Sequence, residues 1–325
     1  MRISLTGEVS NKINLPQIFW SAVIFLIHKR LYFIYELVII YTKCMIFKGR
    51  NEKMEIGASS SCFYPLETEK SFQLLCENGF KNIEIFFNSP SETSLSFVRE
   101  LKAVKDFYGV NVTSVHPYES FGEGYNFFSH YYRRYEDACE NYKRFFSAAA
   151  ELGADYVIMH GAKHGADICD EEYAERFTRL NEIAMGFGCF MAHENVVNFS
   201  GERPELMSLL KQYGKENFKM VLDVKQARKA NILPIEYIKA AGESIAHVHL
   251  SDCSERSMCT PPSRKGLFDF RELFTQLEGI NYKGKYIIEL YSDGFDGIED
   301  IIASAKYLAE VRVSLFEKMS FNPPR

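Results

Sequence analysis

Six polar side chains stand at the ends of short apolar runs in this sequence. They are His116, His160, Glu194, Asp223, His249 and Glu289, in TSVH, YVIMH, FMAHE, MVLD, HVHL and YIIEL. One such histidine is usually structural, whereas six polar residues at six successive strand ends indicate a site. A buried carboxylate without a partner is costly, and grouped carboxylates and imidazoles offset that cost by binding a cation. Three carboxylates with one imidazole suit one divalent ion: Mn, Mg, Co or Zn.

The alternation of side chains along a strand separates neighbouring candidates. His247 and His249 are two residues apart, so both face the same side of their strand. His249 is nearer the strand end and is the better ligand, which leaves His247 one layer deeper. His193 and Glu194 face opposite sides, and we expect Glu194 to be the one that points inward.

These residues belong to a repeated pattern that begins at Met54. Eight β-rich runs are predicted at 55–61, 82–87, 110–116, 155–160, 189–195, 218–223, 245–250 and 285–291. Amphipathic helical patterns cover 67–78, 93–108, 131–152, 170–186, 202–213, 234–241, 269–278 and 297–316. Eight βα units in an α/β chain predict a (β/α)8 TIM barrel, whose active site lies at the carboxyl ends of the strands.

Several common nucleotide and hydrolase motifs are absent from the sequence. No GxGxxG follows the first strand, and neither GxxxxGK[ST] nor GxSxG occurs. The repeat therefore lacks the signatures of a dinucleotide fold, a phosphate-binding NTPase loop and a hydrolase nucleophile elbow.

The charge and cysteine content indicate which binding partners and which cellular compartment suit the protein. The net charge of −5 divides into +5 over residues 1–53 and −10 over the other 272 residues. So acidic a main body argues against binding to nucleic acid or anionic lipid. The eight cysteines include no CxxC pair, which favours free thiols in a reducing compartment and predicts a cytoplasmic protein.

Residues 1–53 form an atypical hydrophobic extension before the barrel at 54–325. Its apolar runs, 18–27 and 31–42, are each shorter than the roughly 20 residues that span a bilayer. Three interpretations remain: a membrane anchor or hairpin, an extra packed helix, or a stretch that is not normally made because translation starts at Met54. We favour the third, because the stretch is rich in Ile, Phe, Tyr and Lys and because Lys48-Gly49-Arg50 can be encoded by a ribosome-binding site. Sequencing the amino terminus of the natural protein tests this interpretation.

The order of short motifs resembles one known superfamily over residues 54–318. The motifs are MEIGASSSCF, GFKNIEIFF, SVHP, VIMHGA, HENV, VLDVKQA, HVHLSD and IIEL. In this order they resemble the xylose isomerase-like TIM barrels, which group sugar isomerases and epimerases with nucleases of the endonuclease IV type. The resemblance implies a metal-dependent isomerase or epimerase that acts on a sugar or sugar phosphate.

The resemblance also implies roles for particular residues. A single divalent ion, with Mn, Mg or Co preferred over Zn, would be held by Glu194, Asp223, His249 and Glu289. The ion would polarise the carbonyl and neighbouring hydroxyl of an open-chain sugar and stabilise an enediolate. Glu194 and Glu289 would be the catalytic pair, one removing a proton and the other returning one.

Two departures from the superfamily pattern keep alternatives open. Gln226 stands where an Asp-x-x-His motif would place histidine, and an amide binds a substrate hydroxyl better than a metal. The loop 253–266 lacks the histidine that a three-zinc nuclease centre needs. The incomplete three-zinc centre makes an endonuclease IV-type phosphodiester hydrolase only the alternative enzyme. Gln226 keeps open a non-catalytic sugar-binding barrel as the alternative from another class.

The remaining candidates are expected to contact the substrate. They are His116, His160, Gln226, Lys225 and Glu84. For Glu84, pairing with a neighbouring side chain is the other role left open. Lys225, together with Arg228, Arg264 and Lys265 in the loops after strands six and seven, suits an anionic group on the substrate, although we favour solvated surface charge for these residues.

An aromatic stretch follows the third strand. Residues 117–132 contain seven aromatic side chains, which suit a lid over the sugar, a loop packed on the barrel mouth or a subunit contact. The aromatic exterior is also compatible with a homo-oligomer.

Overall fold

The computed structural model describes residues 56–321, with side chains through residue 315. Within this range eight parallel strands form a closed barrel in sequence order. The strands are β1 (Gly57–Ser59), β2 (Asn82–Phe86), β3 (Asn111–His116), β4 (Tyr156–Met159), β5 (Phe190–Glu194), β6 (Lys219–Asp223), β7 (Ile245–Leu250) and β8 (Lys285–Ile288). The predicted TIM barrel is confirmed, whereas the predicted extension at 1–53 and the start at Met54 lie outside the described residues.

Helices surround the barrel and connect its strands. They are α1 (Thr68–Glu77), α2 (Leu95–Tyr108), α3 (Ser120–Phe127), α4 (Tyr132–Leu152), α5 (Asp170–Gly186), α6 (Pro204–Gly214), α7 (Val224–Lys229), α8 (Pro234–Ala241), α9 (Phe270–Gly279) and α10 (Ile298–Phe321). The eight predicted helical patterns all correspond to helices. The structure adds α3, inside the aromatic stretch, and α7, which begins directly after β6.

Helix α4 shows how the periodicity of the sequence becomes packing. Its buried side chains include Tyr135, Ala138, Tyr142, Phe145, Phe146 and Ala149, the positions that the period of 3.6 residues selects. The helix ends at Gly153, whose φ of 67° is the left-handed conformation that glycine adopts without strain. The apolar face of the helix joins the main hydrophobic core between helices and sheet.

Three neighbouring strands, β4, β5 and β6, contribute a small apolar layer to the barrel interior. Ile158, Ala192 and Val221 form a buried cluster of their own, on which Tyr156 packs. Because side chains alternate, the residues two positions further along β5 and β6 also point inward, namely Glu194 and Asp223. The next layer toward the carboxyl ends of the strands is therefore polar.

The outward face of β5 carries His193, as the alternation predicts. Its Nε2 lies 2.7 Å from the hydroxyl of Tyr173 on α5, and its ring also contacts Phe177. Burial lowers the pKa of His193 to about 4, so this histidine is a neutral packing residue. The prediction that Glu194 rather than His193 enters the barrel agrees with this placement.

Gly57 in β1 is required by close backbone packing at the barrel wall. A Cβ at this position would lie 2.2 Å from the carbonyl oxygen of Asn82 and 2.7 Å from Cδ1 of Ile287. We expect Gly57→Ala to lower the free energy of unfolding by about 3 kcal/mol, because the strand backbone itself must shift. Urea unfolding monitored by circular dichroism measures the change.

Gly186 at the end of α5 provides the matched control. A Cβ there would meet no atom within 4 Å. Gly186→Ala should therefore leave the stability unchanged or raise it by about 0.5 kcal/mol, since alanine restricts the unfolded chain. Equal stability of the two variants would contradict this account of Gly57.

Two features of the described residues bear on the cellular location of the protein. Among residues 56–321, no helix is long and apolar enough to cross a membrane. The seven cysteines in the described part of the chain are all free thiols. The cytoplasmic location stays a prediction.

Candidate functional site

The carboxyl ends of four neighbouring strands bring together Glu194, Asp223, His249 and Glu289, called here the four-residue cluster. One ligand atom from each lies within 4.8 Å of the others. The Nδ1 atom of His249 is 3.5 Å from Glu194 Oε1 and 3.4 Å from Glu289 Oε2. Glu194, Asp223 and His249 end or nearly end β5, β6 and β7, and Glu289 directly follows β8. The structure thus assembles the four residues that the sequence proposed as metal ligands.

The chemistry of the cluster fits a divalent cation. Glu194 Oε2, Asp223 Oδ2 and His249 Nδ1 are buried and make no hydrogen bond of good geometry, and the two carboxylate oxygens have only ionic contacts with His160 and Lys225. Buried polar atoms are nearly always satisfied, so three unsatisfied ones at one point indicate a ligand that accepts their lone pairs. Carboxylate oxygens with one imidazole nitrogen suit Mn, Mg, Co or Zn.

The surroundings of the three carboxylates shift their pKa values in different directions. Burial raises the pKa of Asp223 to about 6. Burial also acts to raise the pKa of Glu194, but the imidazoles of His116 and His160 beside its carboxylate outweigh it and hold that pKa well below the usual value. The pKa of Glu289 is lowered as well, because the charges of Lys225 and His249 outweigh its burial. The two glutamates are therefore anionic near neutral pH.

His116 and His160, called here the histidine pair, lie beside the cluster. Their Nε2 atoms are 2.9 Å apart, and Nε2 of His160 is 3.1 Å from Glu194 Oε2. The other ring nitrogen of His116 lies 3.0 Å from the carbonyl oxygen of Pro117, which can only accept, so Nδ1 carries the hydrogen. The ring of Phe86 stacks on His116 with centroids 4.5 Å apart. Both histidines line the central cavity, where the sequence placed them as substrate contacts.

The turn from β6 into α7 positions two further predicted residues. Oδ1 of Asp223 accepts hydrogen bonds from the backbone N–H groups of Lys225 (2.6 Å) and Gln226 (3.0 Å), which caps the helix. This turn places Lys225 Nζ 2.9 Å from Glu289 Oε2 and 3.3 Å from Asp223 Oδ2. Gln226 borders the cavity, and its side-chain oxygen lies 3.4 Å from the backbone N of Val197.

Lys225 is a buried cation inside an acidic site. Only 2% of its side chain is exposed. Burial acts to lower its pKa, but the charges of Asp223 and Glu289 outweigh it and hold the pKa well above the usual value. The sequence predicted a substrate contact for Lys225 but not this pair of ionic contacts.

Glu84 is not among the residues that line the cavity and instead pairs with His247 and His249, the second of the two roles open for it. Its side chain is 0% exposed and lies on the inner side of His249, with Oε2 3.0 Å from His249 Nε2. His247 is equally buried, and its Nε2 lies 3.1 Å from that of His249. The deeper position predicted for His247 agrees with this arrangement, whereas Glu84 contacts a proposed ligand rather than open space.

The cavity at the mouth of the barrel has a volume of about 290 Å³. This size is near the lower end of the roughly 300–1,000 Å³ of small-molecule sites. Its lining includes Glu194, Glu289, His116, His160, Lys225 and Gln226. The cavity is also lined by Tyr64, Phe86 and Tyr291, which were not among the residues predicted from the sequence. Phe86 and Tyr291 lie at the ends of the predicted strands 82–87 and 285–291, whereas Tyr64 follows the predicted strand 55–61 by three residues.

Of the four basic residues named from the sequence, Lys225 is the one that borders this cavity. Arg228 donates to the carbonyl oxygens of Asp252 (2.9 Å) and Met258 (2.8 Å), so it braces the loop after β7. Arg264 pairs with Glu310 and is 77% exposed, and Lys265 is exposed as well. Arg264 and Lys265 are thus surface charges.

The aromatic stretch 117–132 is partly packed and partly exposed. Phe128 stacks on Tyr173 with centroids 3.7 Å apart, whereas Phe121 is 77% exposed. Glu123 ties α3 to the loop after β4 by accepting from the backbone N–H of Gly161 at 2.6 Å. The packing of its buried half agrees with the interpretation as a loop over the barrel, and its role as a lid stays a prediction.

Comparison with solved structures identifies the same architecture. A D-tagatose 3-epimerase-like protein is 23% identical, with a TM-score of 0.66 over 81% of this chain and 99% of that one. D-psicose 3-epimerase from Clostridium cellulolyticum H10 is 19% identical, with a TM-score of 0.66 over 80% and 98%. L-ribulose 3-epimerase is 16% identical, with a TM-score of 0.67 over 83% and 98%. No curated protein sequence matches the chain significantly.

The sequence itself also matches a model of a protein family. The model described as xylose isomerase-like TIM barrel matches residues 72–311, which is most of the chain and all strands from β2 to β8. The match and the closed eight-stranded barrel agree with the resemblance that the motifs indicated. The chain belongs to the xylose isomerase-like TIM barrel family.

Proposed function

We propose that this protein is a metal-dependent isomerase or epimerase of a sugar or sugar phosphate, working by proton transfer through an enediolate. The observation that carries the proposal is that Glu194 and Glu289 belong to the four-residue cluster and also line the cavity. Two carboxylates that share a cation site and face one substrate space can each exchange a proton with a bound carbon acid. The similar structures named as ketose 3-epimerases support the choice of substrate class.

The chain's own residues divide the work of such a reaction. A divalent ion bound by the four-residue cluster would supply polarisation of the substrate carbonyl and stabilisation of the developing negative charge. Glu194 and Glu289, with lowered pKa values, are ionised and able to take a proton from the carbon next to the carbonyl. In an epimerisation the second glutamate first takes up a proton from solvent and then returns it to the opposite face of that carbon, while the first glutamate releases its proton to solvent. His116, His160 and Gln226 offer hydrogen bonds that orient the hydroxyl groups.

Solvent isotope exchange tests the proposal directly. Purified protein with added Mn²⁺ is incubated in D₂O with a panel of aldoses, ketoses and their phosphates, and exchange is followed by NMR. We expect deuterium to enter one substrate at the carbon next to its carbonyl, and a chelator to stop the exchange. Absence of exchange for the whole panel would count against the proposal, and ligand binding without exchange would favour the sugar-binding alternative.

One observation favours phosphodiester hydrolysis as the second candidate. The histidine pair and Glu194 have ligand atoms close enough to hold a cation, and Glu194 is shared with the four-residue cluster. A centre with several ions is typical of phosphate-ester hydrolases. The missing histidines at Gln226 and in the loop 253–266 weigh against a three-zinc centre. Metal analysis separates the two: about one ion per chain supports the isomerase, whereas three zinc ions with cleavage of abasic DNA support the hydrolase.

The ammonium group of Lys225 borders the cavity and is expected to bind a substrate oxygen. A hydrogen bond to a charged group contributes about 1.5–3 kcal/mol, so Lys225→Met should raise KM for the sugar by tenfold or more. Steady-state kinetics at saturating metal measures this change. Lys265→Met removes an exposed lysine and should leave KM unchanged. A Lys225→Met enzyme with the wild-type KM would contradict the proposed contact.

A further inference from the structure

A buried polar group lies behind the four-residue cluster, on the side away from the cavity. Glu84, His247 and His249 have ligand atoms close together, and the side chains of Glu84 and His247 are 0% exposed. Glu84 lies on β2, whereas His247 and His249 lie on β7. The contact between Glu84 and His249 therefore joins residues that are 165 positions apart in the sequence. The proton-transfer scheme above gives neither Glu84 nor His247 a task.

All contacts of Glu84 with this group converge on one oxygen. Its Oε2 lies 2.7 Å from the hydroxyl oxygen of Ser114, 3.0 Å from Nε2 of His249 and 3.2 Å from Nε2 of His247. The Ser114 hydroxyl donates to it, and an ionised carboxylate can only accept. The ring nitrogen of His249 that faces Glu84 must therefore carry a hydrogen.

This hydrogen bond determines which atom of His249 is free. A neutral imidazole has one N–H group, so a hydrogen on Nε2 leaves the lone pair on Nδ1. Nδ1 is the atom that faces Glu194, Glu289 and Asp223, at 3.5, 3.4 and 3.9 Å. It is buried and has no hydrogen-bond partner of its own. The two nitrogens of the ring thus have separate partners on opposite sides.

We propose that Glu84 is a positioning residue that fixes the tautomer and orientation of His249, so that Nδ1 presents its lone pair to the cation. The inference rests on the proposed metal-dependent function and goes beyond it, because it assigns a task to a residue that touches neither cation nor substrate. A carboxylate behind a ligand histidine also increases the basicity of the imidazole, which strengthens its bond to a metal. Ser114 and His247 hold the carboxylate in place from two other directions.

Two substitutions separate positioning from simple space filling. Gln at position 84 keeps an oxygen that accepts from Nε2–H but loses the charge, whereas Leu has a similar volume and no acceptor. Loss of such a partner lowers metal affinity by about 10–100-fold. We expect Glu84→Leu to bind Co²⁺ about 10–100-fold more weakly than wild type. Glu84→Gln should bind Co²⁺ much more tightly than Glu84→Leu does. The visible spectrum of bound Co²⁺ reports both affinity and ligand geometry without any need for activity.

NMR provides a second measurement, because it reports which ring nitrogen of His249 carries the hydrogen. In the Zn²⁺-loaded protein labelled with ¹⁵N-histidine, His249 should show the Nε2–H tautomer in wild type and in Glu84→Gln. The signal of this tautomer should be lost or mixed in Glu84→Leu. Glu123→Gln is the control, because Glu123 is also a buried carboxylate that accepts a backbone N–H bond but does not contact His249. This variant should bind Co²⁺ like wild type.

The outcomes distinguish the two proposals. If wild type binds Co²⁺ and Glu84→Leu binds it equally well with the same spectrum, the positioning role is wrong and the proposed function stands. If wild type binds neither Co²⁺ nor Zn²⁺, the metal-dependent function is wrong and the role of Glu84 fails with it. If Glu84→Gln loses one of two tightly bound ions, Glu84 is a ligand of a second ion rather than a positioning residue.

Discussion

Glu289→Gln is expected to abolish exchange of solvent deuterium into the sugar while leaving the barrel folded. Glutamine keeps the shape of the side chain but cannot take up a proton at neutral pH. It also removes one negative charge from the four-residue cluster and one of the two ionic partners of Lys225. General acid–base catalysis contributes about 10²–10⁴-fold, and weaker metal binding adds to the loss, so kcat should fall by about 10³-fold or more. NMR of the exchange and steady-state kinetics measure the effect.

Glu175→Gln is the matched control for this substitution. Glu175 is an exposed glutamate on α5, remote from the cavity lining. Its replacement should leave kcat, exchange and the circular dichroism spectrum unchanged. Full exchange activity in folded Glu289→Gln would contradict the role assigned to Glu289.

Asp223→Asn has the second large expected effect, on metal affinity rather than on the fold. The side chain has two tasks on two oxygens: Oδ1 caps α7, and Oδ2 faces the cluster with only an ionic contact to Lys225. Asparagine can keep the cap through its amide oxygen, but its NH₂ group is a donor and repels a cation. Because removal of an outer-shell partner alone lowers metal affinity by about 10–100-fold, loss of the ligand itself should lower it by at least about 100-fold. Titration with Mn²⁺ followed by electron paramagnetic resonance measures the affinity.

Asp223→Ala separates the two tasks of this residue. It removes the cap as well as the ligand, so its stability in the presence of chelator should fall by about 1 kcal/mol relative to Asp223→Asn. Thermal unfolding of both variants gives this difference. Wild-type affinity for Mn²⁺ in Asp223→Asn would show that the cluster does not bind the ion through this residue.

The strand ends were predictable because their signal is local. A polar residue that closes an apolar run, as Asp223 does in MVLD, marks both the end of the strand and the mouth of a parallel barrel. The period of two then assigns Glu194 inward and His193 outward. Strand bounds were less predictable, since 285–291 was expected and β8 ends at Ile288. Glu289 still follows the strand closely enough to reach the cluster.

Contacts between distant parts of the chain were not predictable in the same way. Glu84 lies in an apolar run, and nothing within that run indicates that it meets His249 across the barrel. The ionic contacts of Lys225 depend on the tight turn made by the cap on α7. Predicting them requires the register of the closed sheet and the path of the loops, which the periodicity of one sequence does not contain.

The ammonium group of Lys225 has a consequence for the order in which the protein matures. It sits between Asp223 and Glu289 and neutralises part of their charge from within the chain. Repulsion among the acidic residues therefore need not prevent the polypeptide from reaching its native state before an ion arrives. For the proposed metal-dependent enzyme, chelation should therefore inactivate the protein reversibly rather than denature it, and folding should not require the ion.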